Sequence, residues 1–292
     1  MRNTFINSLL KEARNSDKII LLTGDLGYGV VDEFAQELPK QFMNFGINEQ
    51  TMMSAAAGLA SQGYKPFVYS IGNFPTFRCL EQIRNDVCYM NLDVTIVALG
   101  AGFAYGTAGY SHHLIEDISA MSALPNIRIF SPADTLETRR VVQDVLELSG
   151  PKYVRLGKGG EVNVTQDFDV SHSGLSIYEG NSDFAIVTTG NILSEALKFN
   201  SLWPQYGATI LSCFNFEKIE KFLHSTSFKK IVTLEEHVYR GGFGSFMSEI
   251  STSIGIPIRS VAINKIDSRV SGPQSFLREH YGLTAEAVKK LL

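Results

Sequence analysis

Short apolar runs bounded by turn residues recur through the first half of the chain, and stretches with helical spacing separate them. The runs that predict strands lie at residues 19–23, 66–70, 93–99, 127–130 and 152–155. A helix is predicted at residues 134–148, where Asp134 and Glu137 have the spacing of a capping box. Strands that alternate with helices in this way favour a mainly parallel sheet with helices on both faces.

The stretch 157–176 interrupts this pattern, because it is rich in Gly, Asp, Asn and Ser and shows no sustained period. The alternation then resumes, with predicted strands at 183–188, 208–212, 229–234 and 258–263, helices at 192–202 and 244–254, and a helical tail at 275–292. We therefore predict an α/β fold with two doubly covered sheet domains, residues 1–158 and 177–292, joined by a linker at 159–176.

The composition is that of a globular protein rather than a nucleic-acid or membrane binder. Of 292 residues, 44% are hydrophobic and 19% are charged, which suffices to fill two cores. A formal net charge of -4 argues against nucleic acid or an anionic membrane as the main partner. The apolar runs are too short to span a membrane, and the N-terminus lacks a secretory h-region. We expect a cytoplasmic location.

Three cysteines, Cys79, Cys88 and Cys213, are widely spaced and form no CxxC pattern. They predict reduced thiols in the core of an intracellular protein and argue against a zinc site. We predict no metal-ligating residues in this chain.

Glu49 lies between a short extended segment and an Ala/Gly-rich helix that begins close to it. An acidic residue at a helix N-terminus is commonly no more than a favourable charge on the helix dipole. Taken alone, Glu49 therefore has an ordinary structural explanation. It becomes a functional candidate only together with other motifs along the chain.

A glycine-rich loop, residues 100–113, follows the third predicted strand and ends in His112 and His113. Its start resembles a loosened nucleotide fingerprint, but a dozen residues intervene before helical character appears, which disfavours nucleotide binding. Loops at the carboxyl ends of parallel strands are the usual place for active sites. His112 is the candidate for proton transfer, since histidine titrates near neutral pH.

Two further sets of residues have both a structural and a functional interpretation. Phe74 and Phe77 are three residues apart, so they are expected on one helix face, either as core aromatics or against a flat heteroaromatic cofactor. Arg155 and Lys158 flank a glycine at a strand end and could hold a phosphate, although charges beside a linker are common. The stretch 235–245 is interpreted as structural or interfacial.

Several ordered motifs carry a resemblance that covers nearly the whole chain. They are residues 46–50, 111–116, 124–138, 232–237 and 241–245. The first half resembles the pyrimidine-binding domain of transketolase and of 1-deoxyxylulose-5-phosphate synthase, and the second half resembles the C-terminal domain of these thiamine diphosphate enzymes. The segment 46–50 is similar to the one that carries the activating glutamate of the family.

The resemblance implies a role for each candidate residue at the cofactor. Glu49 would hydrogen-bond the pyrimidine N1′ and favour the imino tautomer, whose nitrogen removes the thiazolium C2 proton. Phe74 and Phe77 would lie against the aminopyrimidine. Asp25 and Leu26 resemble the Asp-Leu turn of the family near the cofactor.

The resemblance also implies residues that contact the substrate. His112 would handle protons on substrate oxygens, and Arg155 would hold a substrate phosphate, with Lys158 as a second cation. The family usually has an acidic residue just before the histidine segment, where this chain has Ala108. This departure indicates an atypical sugar substrate.

A larger departure is the absence of the diphosphate-and-metal domain with its Gly-Asp-Gly motif. The segment Gly24-Asp25-Leu26 does not replace it. The resemblance therefore implies the smaller subunit of a split transketolase, which uses thiamine diphosphate and Mg²⁺ held mainly by a separate partner subunit, in an α2β2 heterotetramer. The alternatives are the beta subunit of a 2-oxo acid dehydrogenase and a non-catalytic paralogue.

Overall fold

The structure, a computed structural model, describes residues 1–165 and 174–292. Part of the predicted linker, residues 166–173, lies outside the described residues. The described chain forms two sheets, each with helices on its faces. The strands are β1 (Ile19–Thr23), β2 (Phe42–Asn44), β3 (Lys65–Ile71), β4 (Thr95–Leu99), β5 (Arg128–Phe130), β6 (Lys152–Leu156), β7 (Leu175–Tyr178), β8 (Phe184–Thr188), β9 (Thr209–Cys213), β10 (Lys230–Val238) and β11 (Ile258–Ile263).

The helices connect these strands and are mostly short. They are α1 (Arg2–Ala13), α2 (Asp32–Glu37), α3 (Glu49–Ser61), α4 (Asn73–Thr76), α5 (Leu80–Gln82), α6 (Asp117–Ser122), α7 (Thr135–Glu147), α8 (Leu193–Leu202), α9 (Phe216–Leu223), α10 (Phe243–Ile254), α11 (Gln274–His280) and α12 (Ala285–Lys289). A π-helical turn, Ile83–Cys88, continues α5.

The first sheet is entirely parallel and has the strand order β2-β1-β3-β4-β6-β5. Every residue of β1, β4 and β6 is buried, which explains why these strands appear in the sequence as continuous apolar runs. Alternate residues of each strand enter different cores. One core is shared with α1 and α7, and the other with α3 and the π-helical turn.

The second sheet has the order β11-β10-β8-β9-β7 and is parallel except for β7, which pairs antiparallel with β9. The predicted α/β architecture of two covered sheets is therefore confirmed. Strand β7 begins at Leu175, two residues before the predicted start of the second domain, because its pairing with Cys213 begins there.

Three local predictions differ from the structure. The sequence pattern missed β2, a three-residue edge strand whose residues are partly or fully exposed and so lack an apolar signal. The predicted helical tail is two helices, α11 and α12, separated by Gly282 at φ 69°. Glu137 does not close a capping box, because its Oε2 accepts from the N–H of Ala133, whereas Asp134 does cap α7 through the N–H groups of Leu136 and Glu137.

Because the first sheet is parallel, the loops that follow β1, β3, β4 and β6 emerge at the same edge. These loops contain the candidate residues at positions 25–26, 74–77, 112 and 155–158. Glu49 begins the helix that follows the edge strand β2. The fold thus places the sequence candidates at one end of the first domain. Among the described residues, no helix is long and apolar enough to cross a membrane.

Candidate active site

Glu49 is the first residue of α3, and its side chain is almost completely buried, with 3% of the residue exposed. Its Oε2 accepts a hydrogen bond of 2.6 Å from Arg78 Nη1, which is also an ion pair. A Cβ atom on Gly24 would lie 3.7 Å from Glu49 Cγ and 3.1 Å from the carbonyl oxygen of Gly46. The first loop can therefore approach the carboxylate closely because position 24 has no side chain.

The side chain of Asn44 ties the first loop to the segment that leads to Glu49. Its Oδ1 accepts from the N–H of Asp25 at 3.0 Å and from the N–H of Gly46 at 2.9 Å. Asp25 has φ 52°, a left-handed conformation that aspartate tolerates better than most residues. Its carboxylate is exposed and accepts from the hydroxyl of Tyr28, and the neighbouring Leu26 is half-buried.

Phe74 and Phe77 lie at the start and end of the short helix α4, but they have different neighbours. The ring of Phe74 lies 4.8 Å from the guanidinium of Arg78 and 5.9 Å from the ring of His112. Phe77 is 39% exposed and lines a cavity of about 310 Å³ together with Tyr110 and other residues of the histidine loop. Phe74 therefore lies between Arg78 and His112, whereas Phe77 faces a separate open space.

His112 and His113 are adjacent but occupy different environments. His112 is half-buried, and its Nδ1 lies 3.0 Å from the hydroxyl of Ser111. His113 is fully buried, and its Nε2 donates to the carbonyl oxygen of Gly106 at 3.2 Å. Burial lowers the pKa of His113. His112 is thus the residue of the pair that a substrate can reach, and His113 holds the loop in place.

Arg155 does not have the position that a phosphate ligand requires, so the sequence-based assignment is corrected. The residue is 2% exposed, and its Nε donates to both carboxylate oxygens of Asp117, at 3.2 and 2.9 Å. Its Nη2 donates to the carbonyl oxygens of Leu114, at 2.6 Å, and Glu236, at 3.1 Å. These contacts engage the guanidinium inside the protein, where it holds the end of the histidine loop.

Lys158, the other cation predicted at this strand end, is exposed. Its ammonium group lies 6.0 Å from the ring centroid of Tyr105, and that ring lies 6.5 Å from the ring of His112. Lys158 also lines cavities of about 260 and 560 Å³ on either side of residues 159–161. Of the two predicted cations, Lys158 is the one that lies in open space near His112.

Sequence reasoning missed Arg78 and Asn44, although both touch the candidate site. Arg78 directly follows Phe77, so its position beside a predicted aromatic pair was the available signal. Asn44 carried no signal, because its role depends on two loops that only the sheet brings together. Within residues 1–165 and 174–292, no group of three His, Cys, Asp or Glu side chains could hold a metal ion.

Comparison with known proteins identifies the class to which this fold and site belong. The family described as "Transketolase, pyrimidine binding domain" matches residues 1–160, and "Transketolase, C-terminal domain" matches residues 175–288. The chain therefore belongs to the transketolase family, and the resemblance found in the sequence is confirmed.

Particular relatives match the chain over nearly its full length. A putative transketolase C-terminal section from Methanocaldococcus jannaschii is 32% identical, covering 99% of this chain and 94% of that protein. A subunit of apulose-4-phosphate transketolase from Phocaeicola vulgatus is 31% identical, covering 99% and 95%. The solved structure described as "Split gene transketolase, inactive beta4 tetramer" is 33% identical, with a TM-score of 0.86, and the match covers 98% of this chain and 94% of that one.

Proposed function

We propose that this chain is the small subunit of a two-subunit transketolase that transfers a two-carbon ketol unit between sugars or sugar phosphates. The observation that carries the proposal is the buried carboxylate of Glu49, which lies beside Arg78 and near Phe74 in a transketolase pyrimidine-binding domain. Relatives named as a transketolase subunit or as a C-terminal section match this chain end to end, which supports a separate partner subunit.

The residues around Glu49 fit the aminopyrimidine of thiamine diphosphate. A buried carboxylate can hydrogen-bond a ring nitrogen, the half-buried ring of Phe74 offers an aromatic face, and Gly24 leaves space beside the carboxylate. Within the described residues, Arg78 is the donor to Glu49, and it contacts only Oε2. The other oxygen is therefore available to a ligand.

When bound, thiamine diphosphate supplies a carbon nucleophile and an electron sink for breaking and forming a carbon–carbon bond beside a carbonyl group. Glu49 would hold a proton at the pyrimidine nitrogen, with Phe74 and Phe77 on the ring and Asp25 and Leu26 at its edge. His112 would exchange protons with substrate oxygens, since its ring is half-exposed in the loop after β4.

Lys158 is our proposed contact for a substrate phosphate, in place of Arg155. Its ammonium group is exposed and lies beyond Tyr105 as seen from His112, so a phosphate there would sit one sugar chain away from the proton-transfer group. Ala108 is exposed in the loop that carries His112 and offers no charge to a donor hydroxyl. We propose a sugar substrate that does not require an acidic partner at this position.

The finer features of the assembly are proposals as well. We propose that Mg²⁺ and the diphosphate are bound mainly by the partner subunit, that two copies of each chain form an α2β2 heterotetramer, and that the enzyme acts in carbohydrate metabolism in the cytoplasm. The two domains of this subunit are proposed to be joined by the stretch 159–176.

Replacement of Glu49 tests the proposed function. In a complex reconstituted with the partner subunit, thiamine diphosphate and Mg²⁺, Glu49→Gln should lower turnover about 10²-fold or more, while the complex still assembles on a sizing column. Glu37→Gln is the matched control, because Glu37 is an exposed carboxylate that is also paired with an arginine, Arg14. Substantial turnover by the Glu49 variant would contradict the assignment.

The choice of substrates separates the proposed activity from its alternatives. Ketose donors with aldose acceptors should support transfer, whereas pyruvate-type acids with an artificial electron acceptor should not. The reverse pattern would indicate a 2-oxo acid dehydrogenase subunit. Calorimetry with thiamine diphosphate and Mg²⁺ distinguishes a non-catalytic paralogue, which would assemble with its partner without binding the cofactor.

A further inference from the structure

The end of strand β10, in the second domain, is hydrogen-bonded to both ends of the loop that carries His112. At the start of the loop, the N–H of Phe103 donates to Glu236 Oε1 at 2.5 Å. At its end, the N–H of Val238 donates to the carbonyl oxygen of Ile115 at 2.9 Å, and the N–H of Ile118 donates to His237 Nε2 at 3.1 Å. One strand end therefore spans residues 103–118 from the other domain.

The carboxylate of Glu236 is itself held rigidly. Only 2% of the residue is exposed, and Arg278 Nε donates to its Oε2 at 2.6 Å. Gln274 Nε2 donates to Oε1 at 2.8 Å, so two side chains of α11 fix the carboxylate toward Phe103. Arg278 also donates to Asn191 Oδ1 at 2.8 Å. Charge-assisted hydrogen bonds of this kind have strict geometry and are strong when buried.

A second contact between the segment before α11 and the loop lies at a pair of glycines. The N–H of Gly272 donates to the carbonyl oxygen of Gly106 at 3.2 Å. A Cβ atom on Gly106 would overlap the carbonyl oxygen of Gly272, so the backbones approach this closely only because position 106 has no side chain. The segment that precedes α11 therefore touches the middle of the loop.

The part of the loop between these contacts has little support of its own. Thr107 and Ala108 are exposed, and Gly109 has φ 82°. Within the described residues, the hydrogen bond of the His112 ring is to the neighbouring Ser111. The position of His112 relative to Phe74 must therefore come largely from the anchors at Phe103, Gly106 and Ile115.

We propose that Glu236, held by Arg278, is a positioning residue for His112, and that the second domain thereby sets the geometry of proton transfer in the first. This inference rests on the proposed function, in which His112 exchanges protons with the substrate. It gives the Glu235-Glu236-His237 stretch, whose sequence pattern indicated only a structural or interfacial role, a specific part in catalysis.

Hydrogen–deuterium exchange of the full-length chain by itself tests the anchoring. In Glu236→Gln, the amide side of the new residue faces either Phe103 N–H or Arg278, so one anchor is lost. Exchange should rise about tenfold or more in peptides covering residues 100–113, and stay unchanged in peptides of α3. Glu217→Gln is the matched control, since Glu217 also forms an ion pair between the domains, with Arg128, but far along the chain from the loop.

Kinetics of the reconstituted complex test the catalytic part. Glu236→Gln should lower kcat about tenfold or more, because a small displacement of a catalytic group is costly, while KM and the Kd for thiamine diphosphate change less than about twofold. Gly106→Ala attacks the same geometry from the loop side and should have the same kinetic signature, even where Glu236→Gln folds poorly.

The outcomes separate the two proposals. A wild-type complex that transfers ketol units, with kcat unchanged in both Glu236→Gln and Gly106→Ala, overturns the positioning role and leaves the proposed function intact. Equal effects of Glu217→Gln, or faster exchange throughout both domains, also overturn it, because they indicate general loss of domain packing. A wild-type complex with no transfer activity refutes the proposed function itself.

Discussion

Arg78 Nη1 lies 2.6 Å from Glu49 Oε2, and the same guanidinium lies 4.8 Å from the centroid of the Phe74 ring. The carboxylate is buried, whereas 45% of the Arg78 side chain is exposed. The arginine therefore covers the carboxylate from the solvent side. A ligand that binds Glu49 must either use the free oxygen or displace this cation.

The Glu49–Arg78 pair should be energetically coupled in the free subunit. Arg78→Met leaves a buried carboxylate without a counterion and should reduce the free energy of unfolding by about 1 kcal/mol, a modest figure because Arg78 is partly solvated. Glu49→Gln in the same background should remove the penalty, since the neutral amide needs no counterion. Urea unfolding of the four chains in a double-mutant cycle measures the coupling.

Arg14→Met provides the comparison for this cycle. Arg14 is paired with Glu37 by two hydrogen bonds, at 2.9 and 2.8 Å, on an exposed surface. Its removal should leave the urea midpoint nearly unchanged. A coupling energy of zero between Arg78 and Glu49 would show that their ion pair contributes nothing to the stability of the folded state.

The two adjacent histidines should separate activity from stability. His112→Asn should lower kcat about 10²-fold in the reconstituted complex without changing the urea midpoint, because its ring is half-exposed. His113→Asn should instead lower the midpoint, because its ring is buried 5.1 Å from Phe103 and donates to Gly106. Equal loss of activity and of stability in both variants would contradict this division.

The two cations after β6 should also behave differently. Lys158→Gln should raise KM about tenfold for a phosphorylated substrate, leave KM for its unphosphorylated analogue unchanged, and leave stability intact, since the side chain is exposed. Arg155→Gln should destabilise the chain by about 3–5 kcal/mol, because it leaves Asp117 buried without its partner. A selective KM effect in the Arg155 variant, with normal stability, would restore it as the phosphate ligand.

Glu137 predicts a pH dependence of stability. Burial raises the pKa of this carboxyl from 4.5 to about 7, against hydrogen bonds from Ser176 and Ala133 that lower it. The folded chain binds the proton more tightly than the unfolded chain. The resulting stability is complete below about pH 4.5 and is lost as the pH rises through 7, by about 3 kcal/mol.

Glu137→Gln isolates this contribution, because the amide can still accept from Ala133 and donate to Ser176. Urea unfolding between pH 5 and 8 should show a smaller loss of stability in the variant than in the wild type. Burial also raises the pKa of Glu235, to about 8, so the difference between the two chains, rather than either curve, is the diagnostic quantity. Parallel curves would mean that Glu137 does not titrate in this range.

Much of the architecture could be predicted because it depends on local patterns. Strands buried on both faces, such as β1, β4 and β6, are continuous apolar runs, and the helices between them have their own period. The edge strand β2 lacked this signal because its residues are largely exposed. Glu49 and His112 could be selected because they belong to motifs with fixed positions relative to strands.

Sequence alone thus determined the two-sheet fold, the family and the candidates Glu49 and His112. Only the tertiary structure decided that Arg155 is buried against Asp117, that Arg78 covers Glu49, and that Glu236 holds Phe103. The physical reason is that a charge in a sequence shows neither its burial nor its counterion. Phe103 and Glu236 are 133 residues apart, and packing of the two domains is what brings them together.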